Sequence, residues 1–496
     1  MSRRTRVARQ ALTTNQQIEA VFSHHTVYEL GLLIPTKEKG SVGRRSDFPG
    51  YLLVAYGVLA RLFRSGIRVQ TELKDPGTWQ LVCDTVARVQ RDDPDLVPVL
   101  PGHRPPPWDA FRYARDRYLT DPDLLADLRE VFTECAVDQA HELGLLDPTG
   151  PGSFSHPHRS RVVYGDGTVV RPLYAPPPAT RATDTKTGKS TVVYLDGRGK
   201  PIDAPTRRFD PDAADYHGHT GSVHGQNFVA LYARGDEPYQ RVVLAVDRVP
   251  APGQEAATAV GAIKRLHQVV GAGIQAIVYD GAMRGTHIDD LMTTTGVLVI
   301  NKVHASAKTA RRRGKASPAS RWFALGTWEH DVPGGMCTHQ LAAVDGAVSE
   351  VALDDAGKPV VLGRLERKQV KRPRRASGLY HFNVAYEVPC ESGAFLAWVT
   401  PHGEPGDAKH RRADAVRVIA EGEPDFERLY GLRNDAESFN SQLKRSLLVG
   451  RAMSLGGRRQ LLDVLCYAVL HNATNEYRAA AARGARPAAA THLRAA

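Results

Sequence analysis

Cysteine is scarce in this chain, with five in 496 residues. Cys83, Cys135, Cys337, Cys390 and Cys466 are scattered and odd in number, which argues against a disulfide scaffold or a zinc framework and for a reducing cytoplasm. Long apolar runs are missing too. Nothing reaches the roughly 18 consecutive apolar residues of a membrane-crossing helix. The N-terminal stretch MSRRTRVARQALTTNQQ is basic but has no apolar core behind it, so a signal peptide is not expected. Residues 1–145 show no helix-turn-helix or finger pattern. Proline and glycine are absent from residues 432–446, which favours a helix there.

What the chain has in excess is positive charge. The net charge is +11 and the isoelectric point is near 9.4, which favours a polyanionic partner without naming one. At this length several domains are expected. Residues 1–150 read as a helical N-terminal domain, with runs such as YLLVAYGVLARLFRSG from Tyr51. Residues 172–222 are rich in Pro, Thr, Gly and charge, and read as a long irregular surface insertion.

The helical segment LYGLRNDAESFNSQLKRS carries Tyr430, Arg433, Glu437 and Lys444, a Y-x2-R-x3-E-x6-K pattern. On one continuous helix these four fall within an arc of about 60°. Phe439, Leu443 and Leu447 form a separate apolar stripe, leaving the polar face available. The plain alternative is a solvated face with Arg433 and Glu437 as an i,i+4 pair, worth a few tenths of a kcal/mol.

Upstream, Asp166 in RVVYGDGTVVRP follows a short apolar strand, and Gly165-Asp-Gly167 reads as the turn that ends or bends it. Asp280 closes the apolar run IQAIVYDGAMRG, placing a carboxylate at the end of a strand buried on both faces. Asp247, ending the LAVD strand, is the rival to Asp280. Between the two Asp residues the order is strand (224–235), strand (240–249), helix (Glu255 to about Val270), the Asp280 strand, a short helix near Ile288–Met292 and a strand over Val297–Val303. Three strands, a helix, a strand, a helix and a strand is the resulting sequence.

This combination resembles the DDE transposases of bacterial insertion sequences that carry the YREK signature. The resemblance covers about residues 160–303 and 425–475. It implies an α/β, RNase H-like mixed-sheet core over 151–303, a β-rich insertion over 304–424, the catalytic Glu helix and a C-terminal helix over 425–480, and a disordered tail over 481–496. It also implies that Asp166, Asp280 and Glu437 are catalytic and hold two divalent cations, Mg²⁺ or Mn²⁺. Tyr430, Arg433 and Lys444 would then handle DNA phosphates. The partners implied are double-stranded DNA, both transposon terminal inverted repeats and target, with a homodimer on paired ends. The residue chemistry fits: two hard cations held by a few carboxylates can serve both ends of a phosphodiester displacement. An RNase H-like nuclease without strand transfer, and a transposase-derived DNA-binding protein lacking catalysis, are the competing readings.

Other features are less specific. The runs Arg311-Arg312-Arg313 with Lys315, and Arg364, Arg367, Lys368, Lys371, Arg372, Arg374 and Arg375, fit either solvated surface or phosphate contact. Trp322 and Trp328 favour core packing over base stacking. His217, His219 and His224 with Asp215 read as a polar loop, and Asp289-Asp290 as helix decoration.

Overall fold

The first helices start where capping chemistry allows. Thr13 accepts from the Gln16 backbone N–H while Gln16 Oε1 accepts from Thr13 N at 2.9 Å, a capping box that opens α1 (Thr14–Ser23). After α2 (His25–Leu32) comes α3 (Gly50–Phe63), buried along nearly its whole circumference as expected of a helix apolar on all sides. Then follow α4 (Gly66–Lys74), α5 (Pro76–Asp92), α6 (Trp108–Ala114) and α7 (Pro122–Glu142). Asp75 and Asp121 cap α5 and α7, each followed by Pro. The computed structural model describes residues 11–35, 48–174, 178–183, 190–196, 198–202, 210–218, 221–303, 322–355, 357, 359–403 and 411–484. Among these no helix is long and apolar enough to cross a membrane.

A mixed sheet follows. Its strands are β1 (Val162–Val170), β5 (Gly221–Arg234), β6 (Arg241–Arg248), β7 (Ala276–Val278) and β8 (Leu298–Ile300). The spatial order is β6-β5-β1-β7-β8. β5 runs antiparallel to both β1 and β6, whereas β1, β7 and β8 are parallel. The parallel pairings need crossovers, and α8 (Glu255–Val270) and α9 (Gly285–Thr295) supply them. β7 and β8 are buried throughout, which is why they read as continuous apolar runs. The order of elements along the chain agrees with the sequence-based expectation.

Two expectations need correction. The stretch read as irregular holds a hairpin of β2 (Ala179–Thr183) with β3 (Ser190–Tyr194), and β4 (Ala214–Gly218) pairs with the start of β5. His217 and His224 therefore lie on paired strands, with His224 Nδ1 3.0 Å from Asp215 Oδ1; His219 lies outside the described residues. The second correction concerns Asp166, which closes no turn: it stands mid-strand in β1, opposite Ala230. Gly165 and Gly167 point to the other face, because side chains alternate. A Cβ on Gly165 would lie 2.7 Å from the Tyr279 ring, and one on Gly167 would lie 2.3 Å from the Glu255 carboxyl carbon. Close packing, not a reversal of direction, requires these glycines.

Between the sheet and the C-terminal helices lie two further sheets. One is ordered β12-β11-β10-β9, from β9 (Trp322–Val332), β10 (Gly335–Val344), β11 (Ala347–Leu353) and β12 (Pro359–Arg364). The other is β13 (Glu366–Lys371), β14 (Asn383–Val388) and β15 (Phe395–Val399). Cys337 and Cys390, far apart in sequence, come together here with Sγ atoms 3.6 Å apart. Part of the basic run of this region is engaged, while Lys371, Arg374 and Arg375 are exposed. Arg367 is buried against Glu423 and Asp425, Lys368 pairs with Glu366 and Glu387, and Arg372 lies over the Phe154 ring. The 311–315 run lies outside the described residues. Trp328 is half-buried and packs on the core.

After α10 (Arg411–Ala415), the segment expected as one helix is two. α11 (Pro424–Tyr430) ends at a 3₁₀ turn over Gly431–Arg433, and α12 (Asn434–Ser446) starts afresh. Glycine at 431 is the weak point of the run. The final helix, α13 (Gly457–Arg483), covers the exposed edge of β6: Asn472 bonds both the N–H and the C=O of Val243 at 2.8 and 2.9 Å, and Asn475 bonds Arg241 O at 2.9 Å. An edge strand left unpaired invites pairing with other chains. One continuous hydrophobic core joins the N-terminal helices, the mixed sheet and α13.

Gly165→Ala is expected to lower stability by about 1–3 kcal/mol, through a clash in a filled interior. Denaturant unfolding of the purified variant measures it, and an unchanged midpoint would contradict the packing argument.

Candidate active site

β1 and β7 lie side by side with Tyr164 opposite Val278. Asp166 comes two residues further along β1, and Asp280 lies two residues past Val278, beyond the end of β7; the two carboxylates are within electrostatic range of each other. Asp280 Oδ1 accepts from Ala282 N at 2.8 Å, which bends the chain sharply after the strand. Asn301, just past β8, donates to Met283 O at 2.9 Å and ties that bend to the sheet.

α12 brings the third element. Asn440 donates to Asp166 Oδ2 at 2.9 Å, and Arg433, in the turn before α12, donates to Asp166 Oδ1 at 3.0 Å. The Arg433–Glu437 pair of a plain solvated helix is thus replaced by an ion pair to the sheet. Glu437, Asn440, Ser441 and Lys444 share one face of α12 and line an open groove of about 1220 Å³ with Asp166. Arg64, Arg171, Arg445 and Arg451 line it as well. Phe439, Leu443 and Leu447 are buried on the other side, with Phe439 packed 5.3 Å from the Tyr467 ring. Tyr430 belongs to α11 rather than to the Glu437 face. Its ring stacks on Phe426 at 4.7 Å and has Arg433 and Lys302 over it.

A fourth carboxylate enters that sequence reasoning did not single out. Glu255, the first residue of α8, packs against Gly167; its Oε2 accepts from Asn227 Nδ2 at 2.6 Å and its Oε1 from the Tyr279 hydroxyl at 3.3 Å. Its only sequence signal is a Glu in a helical first turn, which the helix dipole favours anyway.

Electrostatics bind these groups together. Burial pushes the Asp166 carboxyl above the usual range; Arg433 pulls it back, and Asp280 adds to the rise. Burial also raises Glu255, opposed by the Asn227 hydrogen bond and assisted by Asp280 and Asp166. Burial works against charge on Arg433, yet Asp166, Tyr430 and Asp280 outweigh it and hold the guanidinium firmly protonated. Burial lowers the Lys444 ammonium, with Asp166 opposing and Arg171 assisting. Asp166, Asp280 and Glu255 therefore repel one another at electrostatic range, with Glu255 on the Gly167 face of β1 and Asp166 on the opposite face.

The alternative acidic candidates are committed elsewhere. Asp247 is buried between Arg129 and Arg265, with Arg265 at 2.7 Å. Asp289 bonds His402 at 2.7 Å and Asp290 bonds Lys264 at 2.7 Å, both on α9. No protein-family model matches this chain, and no curated protein matches it.

Carboxylate oxygens suit hard divalent cations, although among the described residues Asp166, Asp280 and Glu437 do not meet as a ready-made cluster of three ligands. A carboxylate offers about four lone-pair positions, so Arg433 and Asn440 leave Asp166 with capacity to spare. For Asp166 and Glu255, with raised pKa values, protonation stabilises the fold. That contribution is complete below the ordinary carboxylate range and is lost as pH rises through the raised values. Bound cations would offset the loss at neutral pH. Mg²⁺ at a hundredfold excess over its dissociation constant is expected to add about 2.7 kcal/mol, about 2–3 °C in melting temperature for a chain of this size. The increment should shrink as the pH falls from neutral toward the ordinary carboxylate range and protons compete for the carboxylates, and vanish in Asp280→Asn. Thermal melts with and without Mg²⁺ measure this; an equal increment in the variant would reject the site.

Proposed function

We propose that this chain is a DNA transposase of the DDE type, cutting at transposon ends and joining them to target DNA. The observations that carry the reading are Asp166 on β1 with Asp280 just past the end of the parallel β7 and within electrostatic range of it, and a cation-lined groove that Asp166 and Glu437 share. The β6-β5-β1-β7-β8 order, antiparallel at first and then parallel through two crossovers, supports an RNase H-like core. The two sheets over 322–399 fit a β-rich insertion before the Glu helix.

Asp166, Asp280 and Glu437, with Glu255 adjoining, would hold two divalent cations. When bound, such ions activate the attacking oxygen and stabilise the leaving alkoxide. The protein's own groups do the rest. Arg433 opposes the burial that raises the Asp166 carboxyl and orients it together with Asn440. Lys444, Arg171 and Arg445 line the groove as point and fork charges for successive phosphates. Tyr430, held on Phe426, buttresses the Arg433 guanidinium by cation–π contact. Double-stranded DNA, as inverted repeats and as target, is the partner, with two protomers on paired ends.

The test is Mg²⁺- or Mn²⁺-dependent cleavage of a terminal-repeat duplex taken from the DNA flanking the gene. Glu437→Gln should abolish cleavage and retain binding; undiminished cleavage would reject the role of Glu437. Joining of the cut 3′ end to a second duplex separates a transposase from a nuclease. Binding without any cleavage by the unaltered chain would leave the DNA-binding reading. Lys444→Ala should make the salt dependence of binding shallower by about one unit of logarithmic slope, and an unaltered slope would count against phosphate contact there.

A further inference from the structure

The hairpin of β9 and β10 places His330 directly opposite Cys337 across the strand pair. His339 lies two residues on from Cys337, so by strand alternation all three side chains share one face. From the second sheet, Cys390, just beyond β14, reaches the same point. One ligand atom from each of His330, Cys337, His339 and Cys390 lies within 4.8 Å of the other three. Cys337 Sγ is 3.2 Å from His339 Nε2 and 3.6 Å from Cys390 Sγ.

We propose that these four residues bind one Zn²⁺ that clamps the two sheets together. A disulfide needs sulfurs about 2.05 Å apart, so the cysteines are not bonded to each other. Two thiolates on a tetrahedral zinc, at Zn–S of about 2.3 Å, stand about 3.8 Å apart, close to the observed spacing. A two-Cys, two-His set fills the tetrahedral shell and leaves no open position, which makes the ion structural. The surroundings fit a metal site. His339 Nδ1 is 2.6 Å from Glu350 Oε1, the carboxylate–histidine arrangement that fixes the tautomer and turns Nε2 to the metal. His330 Nε2 is buried and, among the described residues, has no hydrogen-bond partner, an omission that native interiors rarely tolerate. The Phe395 ring of β15 stacks on His330 at 4.3 Å and screens the cluster.

Binding would release the two thiol protons and join β9 and β10 to β14 and β15. Arg364 and Arg367 run from the junction of these sheets to Glu423 at the head of α11. The clamp is independent of the carboxylate site and uses ligands of a different kind.

The experiment is metal analysis of the full, tag-free chain purified under reducing conditions, followed by exchange with Co²⁺. One equivalent of zinc is expected, and the Co²⁺ form should show tetrahedral d–d bands with thiolate charge transfer in the near ultraviolet. Cys337→Ser with Cys390→Ser should lose the metal, as should His330→Ala, while Cys83→Ser and Asp280→Asn retain it. Zinc-free protein that takes up no Co²⁺, a Co²⁺ spectrum without thiolate bands, or full zinc content in the double Cys variant would each overturn the proposal. If the variants fold poorly, the spectrum of the unaltered protein decides alone.

Discussion

Like charges gathered in a poorly solvated place must be balanced, and the centre of this molecule is arranged around that requirement. Asp166 and Glu255 stand on opposite faces of β1, within electrostatic range of each other and of Asp280, and burial raises Asp166 and Glu255 above the ordinary carboxylate range. Arg433 supplies one compensating charge by an ion pair to Asp166. Tyr430 supports Arg433, which sits in the 3₁₀ turn between α11 and α12. Hydrophobic packing alone would not select such a cluster, since replacing buried charges by apolar groups is often neutral or stabilising.

The scaffold shows how little of this precision comes from the site residues themselves. β7 and β8 are wholly apolar and simply fill the centre of the sheet. α13 closes the β6 edge with two asparagines, so the sheet ends without an open row of backbone groups. Arg364 and Arg367 spend their charge on Glu423 and Asp425, anchoring the β-rich region to the helix that leads toward Arg433.

Much of the fold is legible in the sequence, because apolar runs and helical periodicity are local signals. The order of strands and helices from β5 to β8 follows from them, as does the Phe439, Leu443, Leu447 stripe, whereas β2, β3 and β4 do not. What is not legible depends on distant neighbours. Gly165-Asp-Gly167 has the chemistry of a turn, and only the Tyr279 ring and Glu255 carboxyl facing it explain why it is a strand. Glu255 looks like any helix-starting Glu until Asn227 and Tyr279 are seen against it. Asn440 and Ser441 complete a face that the Y-R-E-K spacing alone does not describe. Cys337 and Cys390 lie too far apart for any spacing rule, and only the approach of two separate sheets unites them.

The central claim is that Asp166, Asp280 and Glu437 share divalent cations. Anomalous diffraction from crystals grown with Mn²⁺ and a terminal-repeat duplex tests it most directly. Mn²⁺ peaks bridging the Asp166 and Asp280 carboxylates, with Glu437 as a further ligand, are the predicted result. Manganese bound elsewhere, with both aspartates ligand-free in the DNA complex, would contradict it.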